Sequence, residues 1–233
     1  MIFFRLITYY LRHLLIKTEV LASGYTKGGH SYRVVRRKYL FKIFPTELVI
    51  EGEEGVYSSV WEDYAHKGPY YPCIQKHILK SVTQNQLNRI LTLGGAGCSF
   101  PRFFVANYSS VDVVVIDYCE NMINVAKQYF LPADCTRIHC ICTDAFNYVE
   151  DCTIVFDLIL VDLFNKDKLV SGIFELKFYE NLYNILSNDG VIYINAWGIT
   201  ECQYSCVQDM CISRFEITHI HQLDTNFIFL RKK

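Results

Sequence analysis

Between Arg89 and Ala196 the chain repeats one pattern: a short apolar run, a glycine or aspartate at its end, then residues at helical spacing. The runs are Ile90–Leu93, Val111–Ile116, Arg137–Cys142, Phe156–Val161 and Val191–Ala196. Their apolar residues are continuous rather than alternating, which is what strands buried on both faces require. The spacing predicts helices around Phe103–Val105, over Met122–Phe130 and over Phe174–Leu186, the last stopped by Asn188-Asp189-Gly190. Strands alternating with helices predict a doubly wound α/β domain with a mainly parallel sheet. Phe215–Ile220 and Asn226–Leu230 lie close enough to close that sheet as a hairpin.

Upstream the pattern is different. Arg33 to Tyr64 mixes β-branched and aromatic residues with Pro45 and the acidic cluster Glu51, Glu53, Glu54. Leu48–Ile50 and Val56–Trp61 read as strands of a small sheet. Ile74, Ile78, Leu79 and Val82 share one side of a predicted helix that leads into the main domain. The apolar stretch Met1–Ile16 is interrupted by Arg5, Arg12 and His13, is shorter than the roughly 20 residues a span needs, and precedes no small-residue cleavage site. An amphipathic helix fits it better. The expected division is a basic amphipathic segment over residues 1–45, a small β subdomain over 46–72 and a nucleotide-binding domain over 73–233.

Charge and cysteine usage narrow the class. Residues 1–45 hold nine cationic residues against Glu19 alone, a net +8, so with a total of −1 the remainder carries −9. Such an arm suits an anionic membrane surface, nucleic acid, or the acidic body of its own protein, and the last is the expected use. The ten cysteines contain no C-x-x-C pair, which argues for reduced, mostly buried thiols in a cytoplasmic protein and against a zinc site. His219 and His221 share a strand face but lack a third ligand, so no metal is expected.

In a doubly wound sheet ligands bind outside the carboxyl ends of the strands, so strand-end residues carry the chemistry. Gly94, Gly95 and Gly97 follow the first strand and permit close backbone approach to a ligand. Asp117 lies 23 positions after Gly94, at the tip of the second strand, where a carboxylate accepts ribose hydroxyls. Ser99 stands where a pyrophosphate-binding loop has its third glycine, so a nucleoside without pyrophosphate fits better than a dinucleotide. Asp144 ends the third strand, as an adenine acceptor or as a helix N-cap. Asp162 ends the fourth.

The run Asp117-Tyr118-Cys119-Glu120-Asn121-Met122 and the tetrad Thr143-Asp144-Ala145-Phe146 resemble class I methyltransferases. Phe156 to Asn165, Phe174 to Tyr179 and Leu186 to Val191 resemble the spermidine synthases within that superfamily, as do Tyr71, His77 and Arg102. The similarity covers roughly residues 47–233. It implies a Rossmann-like sheet with a cofactor site at Gly94, Gly95, Gly97, Asp117, Tyr118, Asp144, Ala145 and Asp162. It also implies S-adenosylmethionine or its decarboxylated form as cofactor, Asp162 and Tyr71 as catalytic residues, and an amine as acceptor. An amine is protonated near neutral pH, and a carboxylate at Asp162 orients it and takes its proton. The resemblance leaves room for a homodimer and for weak membrane-surface contact through residues 1–45, and gives no reason for a specific nucleic-acid partner.

The chain departs from the spermidine synthase pattern at acidic positions. Gly97 stands where an aspartate holds the aminopropyl ammonium, Asn165 where a second aspartate follows the catalytic one, Tyr57-Ser58 where a tyrosine-glutamine pair occurs, and Cys73 where a polyamine-site glutamate occurs. Each lost acid removes a partner for a dicationic acceptor. Three functions therefore stand side by side: aminopropyl transfer with an altered acceptor, methyl transfer to a non-polyamine substrate, and a non-catalytic nucleotide-binding or scaffold role through the basic arm.

Overall fold

The computed structural model describes residues 16–39, 42–50, 56–60, 87–95, 97–165, 168–222 and 225–233. A four-stranded antiparallel sheet comes first: β1 (Ile16–Tyr25), β2 (Ser31–Tyr39), β3 (Lys42–Ile50) and β4 (Val56–Val60), paired in that order. It begins at Ile16, so the boundary expected at residue 45 falls inside β3, and much of the basic segment is strand. The reason lies in the cations themselves. Arg37 and Lys38 sit on β2 and pair with Glu47 and Glu19 on the flanking strands, so two of the nine cations are built into the sheet. The proposed amphipathic helix before Ile16, the helix after Pro72, and Tyr71, His77, Trp61 and Cys73 lie outside the described residues.

The main domain is a seven-stranded sheet. Its strands are β5 (Arg89–Leu93), β6 (Asp112–Asp117), β7 (Ile138–Cys142), β8 (Phe156–Val161), β11 (Leu186–Asn195), β12 (Phe215–Gln222) and β13 (Thr225–Lys232). They lie in the order β12-β13-β11-β8-β5-β6-β7. β7, β6, β5, β8 and β11 run parallel, and β13 pairs antiparallel with β11 and β12. Chain order reverses between β5 and β8, which makes that pair the topological switch point. Two residues each form β9 (Phe164–Asn165) and β10 (Lys168–Leu169), a short ribbon just beyond β8.

Five α-helices are present among the described residues: α1 (Ser99–Asn107), α2 (Glu120–Val125), α3 (Ala145–Asp151), α4 (Leu176–Ile185) and α5 (Glu201–Cys211). A π-helical turn, Ala126–Phe130, extends α2, so the single helix expected over 122–130 is divided. Two cores cover the two faces. Phe103, Phe104, Val113, Val115 and Leu160 pack on one, and Leu93, Ile116, Ile159, Phe178, Leu182 and Val207 on the other. Burying such side chains contributes about 1.5–3 kcal/mol each. A third cluster joins Tyr32, Val34 and Leu48 of the small sheet to Met122, Val125 and Phe130, fastening that sheet to α2.

Polar side chains finish the connections. Asp157 Oδ2 accepts from the backbone N–H groups of Asn88 and Arg89, at 2.9 and 3.1 Å, aligning the starts of β8 and β5. Arg137 donates to the carbonyls of Tyr108 (2.7 Å), Val111 (3.2 Å) and Val105 (2.5 Å), closing the end of α1 and the loop before β6. Replacing Arg137 by Met leaves those carbonyls without this donor. The expected cost is about 2–3 kcal/mol, read as a lower urea midpoint at unchanged slope.

Candidate active site at the β5–β8 switch point

Backbone hydrogen bonds knit the strand tips into one edge. The Asp162 N–H donates to the Leu93 carbonyl at 2.8 Å, Gly94 N–H to Ile116 at 2.8 Å, and Thr143 N–H to Asp117 at 3.1 Å. Gly94, Asp117, Asp144 and Asp162, chosen from sequence, therefore follow four neighbouring strands at the same end of the sheet.

Gly94 has φ +90°, and a Cβ there would lie 2.1 Å from the Asp162 carbonyl oxygen. Both the left-handed conformation and the close approach exclude any other residue. At Gly95 a Cβ would lie 2.7 Å from Val115 Cγ1. Gly97 leads into Cys98, a non-glycine residue with φ 55° that caps α1. The result is a bend whose surface is mainly backbone, the shape a nucleoside needs for close approach.

Asp117 is half-buried, and its carboxylate is held from two sides. Oδ2 accepts from Gly95 N–H at 3.0 Å and Oδ1 from Cys119 N–H at 2.9 Å. These bonds aim the group, and a carboxylate oxygen accepts more than one hydrogen bond. Tyr118 beside it is exposed. Asp144 is exposed, and its Oδ1 accepts from Phe146 and Asn147 N–H at 2.9 and 3.1 Å as the N-cap of α3. The capping role foreseen for Asp144 is thus filled through Oδ1, while Ala145 is buried as the first residue of α3. Arg102 is buried and ties Phe130 carbonyl and Ser99 Oγ together, a bracing role.

Asp162 is half-buried, and Asn195 Nδ2 donates to its Oδ1 at 2.9 Å. Burial raises its carboxyl above the usual carboxylate range, and the Asn195 bond opposes part of that rise. Asn195 is itself fixed, because its Oδ1 accepts from Trp197 N–H at 3.2 Å. Asn195 was not among the expected site residues. Its signal was a lone amide closing the apolar run Val191–Ile194 at a strand tip.

Two aromatic residues stand beside it, Phe164 and the exposed Trp197, with ring centroids 6.4 Å apart. From the other side the β1–β2 turn reaches over the site. His30 Nε2 lies 3.3 Å from Asn165 Oδ1, Lys27 N–H donates to Cys119 Sγ at 3.2 Å, and Asn121 Nδ2 donates to the Tyr25 carbonyl at 2.9 Å. Lys27 Nζ stands 5.6 Å from the Tyr118 ring. This turn was missed from sequence because its residues, Thr26-Lys27-Gly28-Gly29-His30, look like any exposed hairpin loop. Among the described residues no cluster of three His, Cys, Asp or Glu side chains is arranged for a metal. His219 instead stacks on Tyr204 and meets Asn226.

A family model described as the spermine/spermidine synthase domain matches residues 74–222. The chain belongs to the spermine/spermidine synthase family. Among its relatives, the polyamine aminopropyltransferase of Vibrio vulnificus is 27% identical over 153 residues, covering 64% of this chain and 50% of that protein. The chain spans half or less of the length of the first curated relatives it matches. A probable spermidine synthase from Corynebacterium glutamicum superposes with TM-score 0.72 at 15% identity, covering 92% of this chain and 80% of that one. A spermidine synthase in complex with the transition-state analogue AdoDATO gives 0.65 at 16%, covering 92% and 74%. These likenesses show a class I methyltransferase-like fold, the doubly wound sheet that the strand pattern indicated and the family resemblance implied.

The Gly94 contact has a direct consequence. Gly94→Ala meets both a positive φ and a backbone oxygen, so it is expected to cost at least about 3 kcal/mol. Circular-dichroism melting should show the loss, and an unchanged melting temperature would refute the close approach.

Proposed function

We propose that the chain transfers an alkyl group from an S-adenosyl nucleotide to an amine, with aminopropyl transfer to an acceptor other than a standard polyamine as the preferred reading. The observation that carries it is Asp162: a half-buried carboxylate fixed by Asn195, at the switch point, beside a bare-backbone bend. Asp117 is the residue to hold the ribose hydroxyls, Gly94, Gly95 and Gly97 to let the nucleoside approach the backbone, and Tyr118 to lie against the base. Asp144 reaches an adenine amino group only through Oδ2, since Oδ1 caps α3. The nucleotide, in decarboxylated or ordinary form, brings an electrophilic carbon next to a sulfonium.

The rest falls to the chain's own groups. The Asp162 carboxylate attracts the ammonium form of the acceptor, orients it, and accepts its proton directly or through water. Its raised pKa makes it a stronger base than an ordinary aspartate, and the Asn195 donor holds one oxygen so that the other faces the acceptor. Phe164 and Trp197 offer an apolar wall for the acceptor's carbon chain. Gly97 and Asn165 supply no charge for a second ammonium, which favours an acceptor with a single amine near the site. Gly97 also lacks the acid that would repel a nucleotide carboxylate, so methyl transfer from S-adenosylmethionine is the second reading. A scaffold role is less favoured, because Arg37 and Lys38, read as part of a free arm, are tied into the small sheet. Tyr71 remains a proposed acceptor-site residue on sequence grounds.

Thermal-shift measurements with S-adenosylmethionine, its decarboxylated form and methylthioadenosine are expected to show stabilisation by at least one of them. Asp117→Ala should lose most of that shift, and an undiminished shift would overturn the ribose assignment.

Asp162→Asn separates chemistry from folding. Transfer should fall by about 10²–10⁴-fold, while the protein becomes more stable at neutral pH. A group whose pKa is higher folded than unfolded contributes stability below its unfolded pKa and loses it as pH rises through the folded value. The ionised, desolvated Asp162 is therefore a burden at neutral pH that Asn removes, and the gain should shrink toward pH 4. A melting-temperature rise of about 2 °C at pH 7.5 is expected, and a fall there would contradict the buried-charge reading.

A further inference from the structure

The β1–β2 turn and the β9–β10 ribbon meet at one pair of side chains, and that pair includes the residue three positions after Asp162. His30 Nε2 stands 3.3 Å from Asn165 Oδ1. The turn that carries His30 is closed by its own hydrogen bonds. Thr26 N–H donates to the His30 carbonyl at 2.8 Å, Gly29 N–H to the Thr26 carbonyl at 2.9 Å, and His30 N–H to Thr26 Oγ1 at 3.1 Å. A folded loop therefore delivers the half-buried imidazole to Asn165.

This contact decides what Asn165 can offer a ligand. An amide presents an acceptor oxygen and a donor nitrogen. With the proton on Nε2 the ring donates to Oδ1, and Nδ2 is left as the group turned to a newcomer.

Lys168 adds charge to the same face. It is the cross-strand partner of Asn165 in the ribbon, and directly opposed residues project their side chains to one side. Lys168 is exposed, and among the described residues no carboxylate pairs with it. Lys27, also exposed, lies on the same turn as His30. An ammonium group arriving at this lip meets donors and like charge, whereas an anion meets partners. Three residues of extended chain span at most about 10–11 Å, so a molecule with its amine at Asp162 reaches Asn165 through a short carbon chain.

We infer that Asn165 and Lys168 form a subsite for a carboxylate on the acceptor, with His30 as the positioning residue that turns the Asn165 amide toward it. The acceptor class is then an amino carboxylate, with one ammonium at Asp162 and one carboxylate at the ribbon. The placing of the amine rests on the function proposed above, whereas the affinity of the ribbon for a carboxylate does not.

Three probes of equal carbon count separate the alternatives: 4-aminobutanoate, butylamine and 1,4-diaminobutane carry an anion, a methyl group and a second ammonium at the far end. Each is titrated against the full chain by ligand-observed NMR, with and without methylthioadenosine. 4-Aminobutanoate is expected to bind about tenfold more tightly than butylamine, with the diamine weakest. Lys168→Gln should weaken the amino carboxylate by about threefold, and Asn165→Asp should reverse the order in favour of the diamine. His30→Ala should lower the preference for 4-aminobutanoate over butylamine, and His30→Gln, which keeps a donor, should restore it. A residue that only supported the fold would change all three affinities together. Equal affinities, a preference for the diamine, or no binding of any probe would overturn the subsite. Transfer is then read as release of the thioether product from S-adenosylmethionine or its decarboxylated form. Selective binding without transfer from either nucleotide counts against the functional proposal and leaves the subsite standing, while transfer that favours the diamine overturns the subsite.

Discussion

The strand edge proposed as the active site depends on one main-chain approach, that of Gly94 to the carbonyl of Asp162. β5 and β8 are parallel neighbours whose following segments must diverge, one toward α1 and the other toward the β9–β10 ribbon. The bond from Asp162 N–H to the Leu93 carbonyl holds the two tips together until the moment they separate. The missing side chain at Gly94 lets them do so without a gap. Strand order reverses there, and both the backbone bend and the half-buried carboxylate take their positions from that reversal.

That carboxylate illustrates how a site is set against its own scaffold. Removing Asp162 from water disfavours its charge, and the single amide of Asn195 returns only part of the lost solvation. The supporting hydrogen bonds run back through Asn195 to the Trp197 backbone, so the tip of β11 serves the tip of β8. Gly97 and Asn165 are less acidic than the family pattern at those positions, and Phe164 and Trp197 lie near each other beside the strand tips. In the proposed site, such surroundings would select an acceptor by shape and by one charge.

Much of this was legible because the physics of a doubly covered sheet is local. Phe156–Val161 is apolar at nearly every position, and its expected bounds match β8. The closing hairpin was also expected, and its strands run one or two residues past the expected bounds. Asp117 and Asp162 stand at strand tips because a carboxylate cannot continue a buried run. The small sheet was harder: β2 carries Arg37 and Lys38, which pair with glutamates on the flanking strands, and a charge count cannot distinguish a solvated arm from such pairing. α5 was overlooked although Thr200 and Gln203 form a capping box, a signal readable as T-x-x-Q. Asn195 and the β1–β2 turn owe their roles to contacts distant in sequence, which no local pattern encodes.

That turn has a kinetic meaning. It touches Cys119 on one lip of the crevice and Asn165 on the other, 92 and 135 positions away in sequence. It is therefore a strut across the entrance, and a molecule the size of a nucleoside must pass beside it or displace it. For a nucleotide held as proposed, entry and exit would depend on one part-buried backbone-to-sulfur bond and one exposed side-chain pair, so a stretch of chain that performs no chemistry would bear on residence time.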